Sequence, residues 1–162
     1  MKEIDLTKPQ TDIFEMDCPF PLFIGGYGSG KTQGMLINSI RDALWYPRAR
    51  IGAYCPTYDL LRLNFTPRLE EALIEAGVKY ELNKSSHICK LENGSEIIMR
   101  SMDNPARIVA YEVFRSHVDE IDTIPRVKAQ DIWNKITARN RQKISSYGEK
   151  VPNRIYAYTT PD

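Results

Sequence analysis

Residues 21–36 read PLFIGGYGSGKTQGML. An apolar run, FPLFI over residues 20–24, gives way to four glycines within the eight residues 25–32, then to Lys31 and Thr32. A plain turn uses one or two glycines, so the others need a different reason. The stretch fits G-x-x-x-x-G-K-[ST] at Gly25, Gly30, Lys31 and Thr32, and its flanks are those the pattern requires, a buried strand before and a helix after. Glycines let the backbone curl through positive φ and bring successive N–H groups onto an anion with no Cβ in the way. The start of the following helix adds unpaired N–H groups and the positive end of its dipole. Gly25, Gly26, Tyr27, Gly28, Ser29 and Gly30 therefore form an expected phosphate cradle. Lys31 supplies a movable charge for the β- and γ-phosphates, and the Thr32 hydroxyl is an expected Mg²⁺ ligand. With glycine at about 7% of residues, the fixed positions arise by chance in about one chain in two hundred of this length.

Working outward, the apolar residues from Met35 to Leu44 predict a helix that stops before Pro47. Strands are expected at IGAYC (51–55) and within residues 108–122 and 154–162. Helices are expected over 59–77 and 127–143, and a hairpin over 87–101 turning at Asn93-Gly94. The opening segment, with Pro9, reads as an extended lead-in. Strand–helix alternation predicts an α/β domain with a mainly parallel sheet and a hairpin at its edge. All 162 residues fit one domain. A formal net charge of +1 advertises no bulk affinity for nucleic acid. Cys18, Cys55 and Cys89 are odd in number and lack metal-ligand spacing, which implies reduced thiols in a cytosolic setting. No signal peptide and no membrane-spanning run is visible.

A phosphate cradle holds nucleotide, whereas hydrolysis requires acids. HVDEID (residues 117–122) places Asp119 and Glu120 at the end of an expected strand, on the same sheet edge as the cradle. Asp119 could hold Mg²⁺ and Glu120 could polarise an attacking water as general base, with Asp122 as a substitute acid. One feature is at odds with a central parallel strand, which should be continuously apolar: Arg115, Ser116 and His117 precede Val118. His117 reads as a hydrogen-bonded structural residue. At the chain's end, YTTPD delivers Thr159 and Thr160 to the same edge.

In order and spacing, KPQ, GGYGSGKT, VDE and YTTP resemble the ATPase domain of the large terminase subunit of tailed bacteriophages, the motor that packages DNA into procapsids. ENGSEIIMRSMDNPARI (92–108) also resembles the hairpin and loop that precede the acid pair in that family. The resemblance implies a P-loop NTPase of the ASCE type, with ATP and Mg²⁺ as cofactors. Gln10 would read adenine, Lys31 and Thr32 would hold phosphate and metal, Asp119 the metal, and Glu120 would be catalytic. Thr159 and Thr160 would couple the γ-phosphate state to movement. Implied partners are double-stranded DNA, the portal and procapsid, the small terminase subunit, and further copies of the chain in a packaging ring, with a monomer in isolation; the implied location is the host cytoplasm, with no membrane. Many relatives carry arginine where this chain has Tyr27, which leaves the charge-stabilising arginine open among Arg107, Arg139 and Arg141. The family also continues beyond the coupling motif into further strands and a nuclease. A chain stopping at Asp162 is thus expected to be a fragment or split product without a nuclease site.

Two other readings share these residues. One is a helicase-like ATPase of superfamily 1 or 2, and the other is a nucleotide-binding module that does not hydrolyse. A locally basic stretch, 126–154, offers either a solvated face, a DNA-phosphate track or arginines facing a neighbouring subunit.

Overall fold

The structure is a computed structural model describing residues 5–161. Helix α1 (Lys8–Glu15) leads into strand β1 (Leu22–Ile24), and helix α2 (Lys31–Trp45) into β2 (Arg50–Cys55). A single turn α3 (Tyr58–Leu60), a π-helical stretch Leu61–Phe65 and α4 (Thr66–Glu75) follow in one run. Next come β3 (Tyr80–Asn83), β4 (Ile88–Leu91), β5 (Glu96–Ser101), β6 (Arg115–Asp119) and α5 (Arg126–Arg139). The hairpin β7 (Ile144–Ser146) and β8 (Glu149–Val151) precedes β9 (Arg154–Thr159).

Seven strands form one sheet in the order β1-β9-β6-β2-β5-β4-β3. The strands β1, β9, β6, β2 and β5 run parallel, while β4 and β3 continue the sheet antiparallel. The β4–β5 hairpin turns at Asn93-Gly94, with Gly94 at φ 82°, and its second strand lies beside β2. All five parallel strands end on one edge, and β9 lies between the strand feeding the glycine loop and the strand bearing the acid pair. The chain is therefore a P-loop α/β domain of the ASCE type.

One face of the sheet packs on α2 and α4 through Met35, Leu36, Leu69, Leu73, Ile51, Ala53 and Tyr156. The other packs on α5 through Ile132, Ile136, Val118, Tyr54 and Ile155.

Two sequence expectations change, and one strand was not expected. The lead-in is helical, because Pro9 sits in the first turn, where its missing N–H costs nothing, and Gln10 Oε1 accepts from Thr7 N at 2.9 Å. The helix expected to reach residue 143 ends at Arg139, and the chain after it forms β7–β8, with Tyr147 and Gly148 both at positive φ, the signature of a two-residue hairpin turn. The unexpected strand is β3, whose four residues are too short a run to stand out and which pairs antiparallel with β4.

The polar residues of β6 have a physical reason. Arg115, His117 and Asp119 alternate along the strand onto one face, and all three are buried. Arg115 Nη1 donates to Asp42 Oδ1 of α2 at 2.6 Å, and His117 Nε2 lies 3.1 Å from Asp42 Oδ2. Asn38 Nδ2 donates to Tyr158 Oη at 3.0 Å, so the Tyr158 hydroxyl proton is directed at His117 Nδ1, 3.2 Å away. This chain of bonds selects neutral His117 with its proton on Nε2, donated to Asp42. Burial works against charge on Asp42, but the His117 bond and the Arg115 and Arg41 guanidinium groups outweigh it and hold the carboxyl at about 2. Burial pushes His117 below its ordinary 6.5.

These shifts set the acid response. Between its lowered folded value and 6.5, His117 is protonated in the unfolded chain and neutral in the folded one, so stability falls as pH drops below 6.5; His87, lowered chiefly by burial, acts in the same direction. Asp42 contributes stability above 3.8 that is lost as pH falls towards 2. Asp42→Ala leaves Arg115 charged and unpaired in the interior and should cost about 3–5 kcal/mol in urea unfolding. An Asp42→Ala chain as stable as the parent would show that the buried pair contributes nothing.

Candidate nucleotide-binding site

The glycine loop hangs between the end of β1 and the start of α2. Gly28 and Gly30 take φ of 75° and 83°, values that L side chains rarely adopt. Gly25 N donates to Thr159 O at 3.0 Å, which ties the loop to the end of β9. Lys31 begins α2, is 6% exposed, and donates from Nζ to Gly25 O at 2.6 Å and Gly26 O at 2.9 Å. An ammonium has three donors, so one remains. Tyr27 is 93% exposed at the loop's tip, its ring centroid 6.0 Å from Lys31 Nζ.

Gln10 is 4% exposed, and both ends of its amide are engaged by the protein. Oε1 caps α1, and Nε2 donates to Gly30 O at 2.9 Å. A Cβ at Gly30 would lie 2.6 Å from that nitrogen. The geometry makes Gln10 a brace for the cradle; its adenine-reading role rests on the resemblance alone.

Across the edge, Thr32 Oγ1 donates to Asp119 Oδ2 at 3.1 Å, which joins the first turn of α2 to the end of β6. Asp119 is 6% exposed, and its other oxygen, Oδ1, is buried with no hydrogen-bond partner. Burial foremost, then the charge of Glu120, pushes the Asp119 carboxyl up to about 6, against the Thr32 bond and the Lys31 charge. A buried, half-satisfied carboxylate beside a hydroxyl is a hard oxygen pair that suits Mg²⁺. A cation there would compensate the charge that the fold alone leaves costly. Among the described residues no cluster of three or more His, Cys, Asp or Glu could hold a metal.

Glu120 has φ 42° and ψ 46°, a left-handed conformation uncommon for a non-glycine residue and enriched at functional sites. Its backbone N–H donates to Tyr158 O at 2.7 Å, and Thr160 Oγ1 donates to its Oε1 at 3.4 Å. A cleft of about 320 Å³ is lined by the loop, Lys31, Thr32, Gln33, Arg68 and Glu120. Beside it, a smaller cavity of about 60 Å³ borders Thr32, Asn64, Asp119 and Glu120, enough for one or two waters. Asp122, the substitute acid, is exposed and lines a separate groove with Trp133.

The arginines singled out in the sequence lie elsewhere. Arg139 O accepts from Val113 N at 2.9 Å, so Arg139 and the nearby Arg141 flank the start of β6, about 13 Å of strand from Asp119. Arg141 is paired with Glu112. Arg107 lies in a short helical turn, Pro105–Ala110, beyond the end of β5. The cleft's own arginine is Arg68 of α4, which no local signal marks because α4 meets α2 only in the folded chain. The basic stretch is likewise dispersed over α5, β7–β8 and β9, and Lys135, Arg141 and Arg154 pair with Asp131, Glu112 and Asp17.

Phage large terminases are among the solved structures similar to this chain. The large terminase of a thermophilic bacteriophage matches with a TM-score of 0.76 at 16% identity over 98% of this chain and 40% of that one. The fold is that of a large-terminase ATPase domain. The ATPase domain of the Thermus phage P74-26 large terminase matches at 0.67 and 17% identity, over 98% of this chain and 66% of that one. The first of these terminases, in complex with ATP-gamma-S, matches at 0.70 and 15% identity, over 96% of this chain and 38% of that one. The chain thus spans about two-fifths of that full-length terminase and two-thirds of the P74-26 ATPase domain. No protein-family model matches, and no curated protein matches at a significant level. Among the described residues no helix is long and apolar enough to cross a membrane.

Proposed function

We propose that this chain is the ATP-hydrolysing motor domain of a phage large terminase, driving double-stranded DNA into a procapsid as part of a homo-oligomeric ring in the host cytoplasm. The observation that carries this reading is the meeting of Lys31, the Thr32–Asp119 pair and Glu120 on one sheet edge within the large-terminase ATPase fold. Portal, procapsid and small terminase subunit are the partners that such a motor would engage.

In this reading the loop N–H groups and Lys31 bind the phosphates of ATP, and Gln10 keeps Gly30 in place while they do so. Thr32 and Asp119 would hold Mg²⁺, which when bound neutralises phosphate charge. Glu120 accepts the proton of the attacking water, oriented by Thr160. Thr159 and Thr160, at the end of β9, join the loop to the acid and supply the route from phosphate occupancy to movement.

Turnover measured with and without duplex DNA and procapsid tests the proposal. Stimulation by both, with duplex binding that weakens steeply as salt rises, is the expected result. Strand separation without procapsid dependence would favour a helicase-like ATPase, and nucleotide binding without turnover a passive module.

A further inference from the structure

The geometry points to Arg68 as the residue that recognises the terminal phosphate of the bound nucleoside triphosphate from within the same chain. This inference rests on the nucleotide-site reading above and adds to it a source of discrimination between tri- and diphosphate.

Lys31 is the cation fixed by the loop itself, and two of its three donors already go to Gly25 O and Gly26 O. A triphosphate brings far more charge than the remaining donor can meet. Arg68 lines the same cleft as the loop and Glu120. Its guanidinium is held over the first turn of α2, where Nη2 donates to Gln33 Oε1 at 2.5 Å and Nη1 reaches Asn64 Oδ1 at 3.3 Å. Both partners are neutral amides. Among the described residues no carboxylate lies in ion-pair range of Arg68, nor of Arg48, Arg100, Arg107, Arg126 or Arg139, but of these only Arg68 lines the cleft. A half-buried guanidinium that keeps its charge uncompensated beside a phosphate cradle is complementary to an anion.

Its support is rigid. Phe65, Leu69 and Leu73 are 0–1% exposed and fix this part of the run in the core, and Pro67 stiffens the first turn of α4. The π-helical stretch just before it, Leu61–Phe65, is a form concentrated at functional sites. It brings Asn64 to the small cavity beside Asp119 and Glu120. One element after β2 therefore contributes both Asn64 and Arg68 to the edge where the loop and the acids meet.

The test is calorimetric titration of ATP and ADP, with single-turnover hydrolysis, on the parent, Arg68→Ala and Arg68→Lys. Arg68→Ala should weaken ATP binding about 10- to 100-fold, the worth of a charged hydrogen-bonding pair, and leave ADP affinity within about twofold. Hydrolysis should fall by about 10³, as on loss of a phosphate-directed arginine. Arg68→Lys should restore part of the ATP preference, since charge survives and the planar fork does not. Equal losses for ATP and ADP, or no loss, would overturn the assignment. A thermal melt matching the parent's shows that the variant has folded. Lys31→Ala separates the two levels: if it too binds both nucleotides normally, the nucleotide site itself is misread. If it binds neither while Arg68→Ala keeps the parent's ATP-to-ADP ratio, only the Arg68 assignment falls.

Discussion

Lys31→Ala loses ATP binding by about 100-fold or more, and turnover with it. Lys31 is 6% exposed and opens the first turn of α2 beside the loop. A charge-assisted bond in such a site is worth about 1.5–3 kcal/mol, and the substitution removes the one that Lys31 can offer a phosphate together with its charge. It also strips the donor from Gly25 O and Gly26 O, 2.6 and 2.9 Å from Nζ, so the carbonyls that shape the loop lose what holds them. Calorimetric titration with ATP and Mg²⁺ reads both consequences. A variant that bound and hydrolysed like the parent would remove the foundation of the functional reading.

Glu120→Gln separates binding from chemistry. Glutamine keeps the oxygen that Thr160 Oγ1 reaches at 3.4 Å and the backbone bond to Tyr158 O at 2.7 Å, but it cannot take up a proton. Loss of a positioned base typically costs about 10² to 10⁴ in rate, so hydrolysis should fall by that factor with ATP affinity retained. Equal hydrolysis would deny Glu120 the role. Asp122 would be a poor heir, because it is exposed and borders a different groove.

The parts of the site that lie next to each other in sequence were legible there. The loop with Lys31 and Thr32 carries its chemistry in eight consecutive residues, and Asp119-Glu120 ends a strand whose edge follows from parallel topology. What could not be read is what depends on partners far along the chain. Arg115 and His117 looked misplaced in a central strand because Asp42, which satisfies both, is 73 and 75 residues away. Arg68 looked like any helix arginine, since its place over Gln33 depends on α4 meeting α2 across 35 residues. Gln10 was singled out, but its contact with Gly30 was not foreseen. The segment with Pro9 reads as an extended lead-in, yet the proline sits in the first turn of α1.

Strand β9 has a mechanical consequence. Its last two carbonyls are both taken: Thr159 O by Gly25 N at 3.0 Å and Tyr158 O by Glu120 N at 2.7 Å. One crossbar therefore carries the cradle on its left and the base on its right, with parallel ladders gripping it along both flanks. Close-packed interiors yield little and pass strain on. A load along β9 that left both ladders intact would shift the glycine loop and Glu120 together and keep the gap between them. A tug on β6 alone would open that gap.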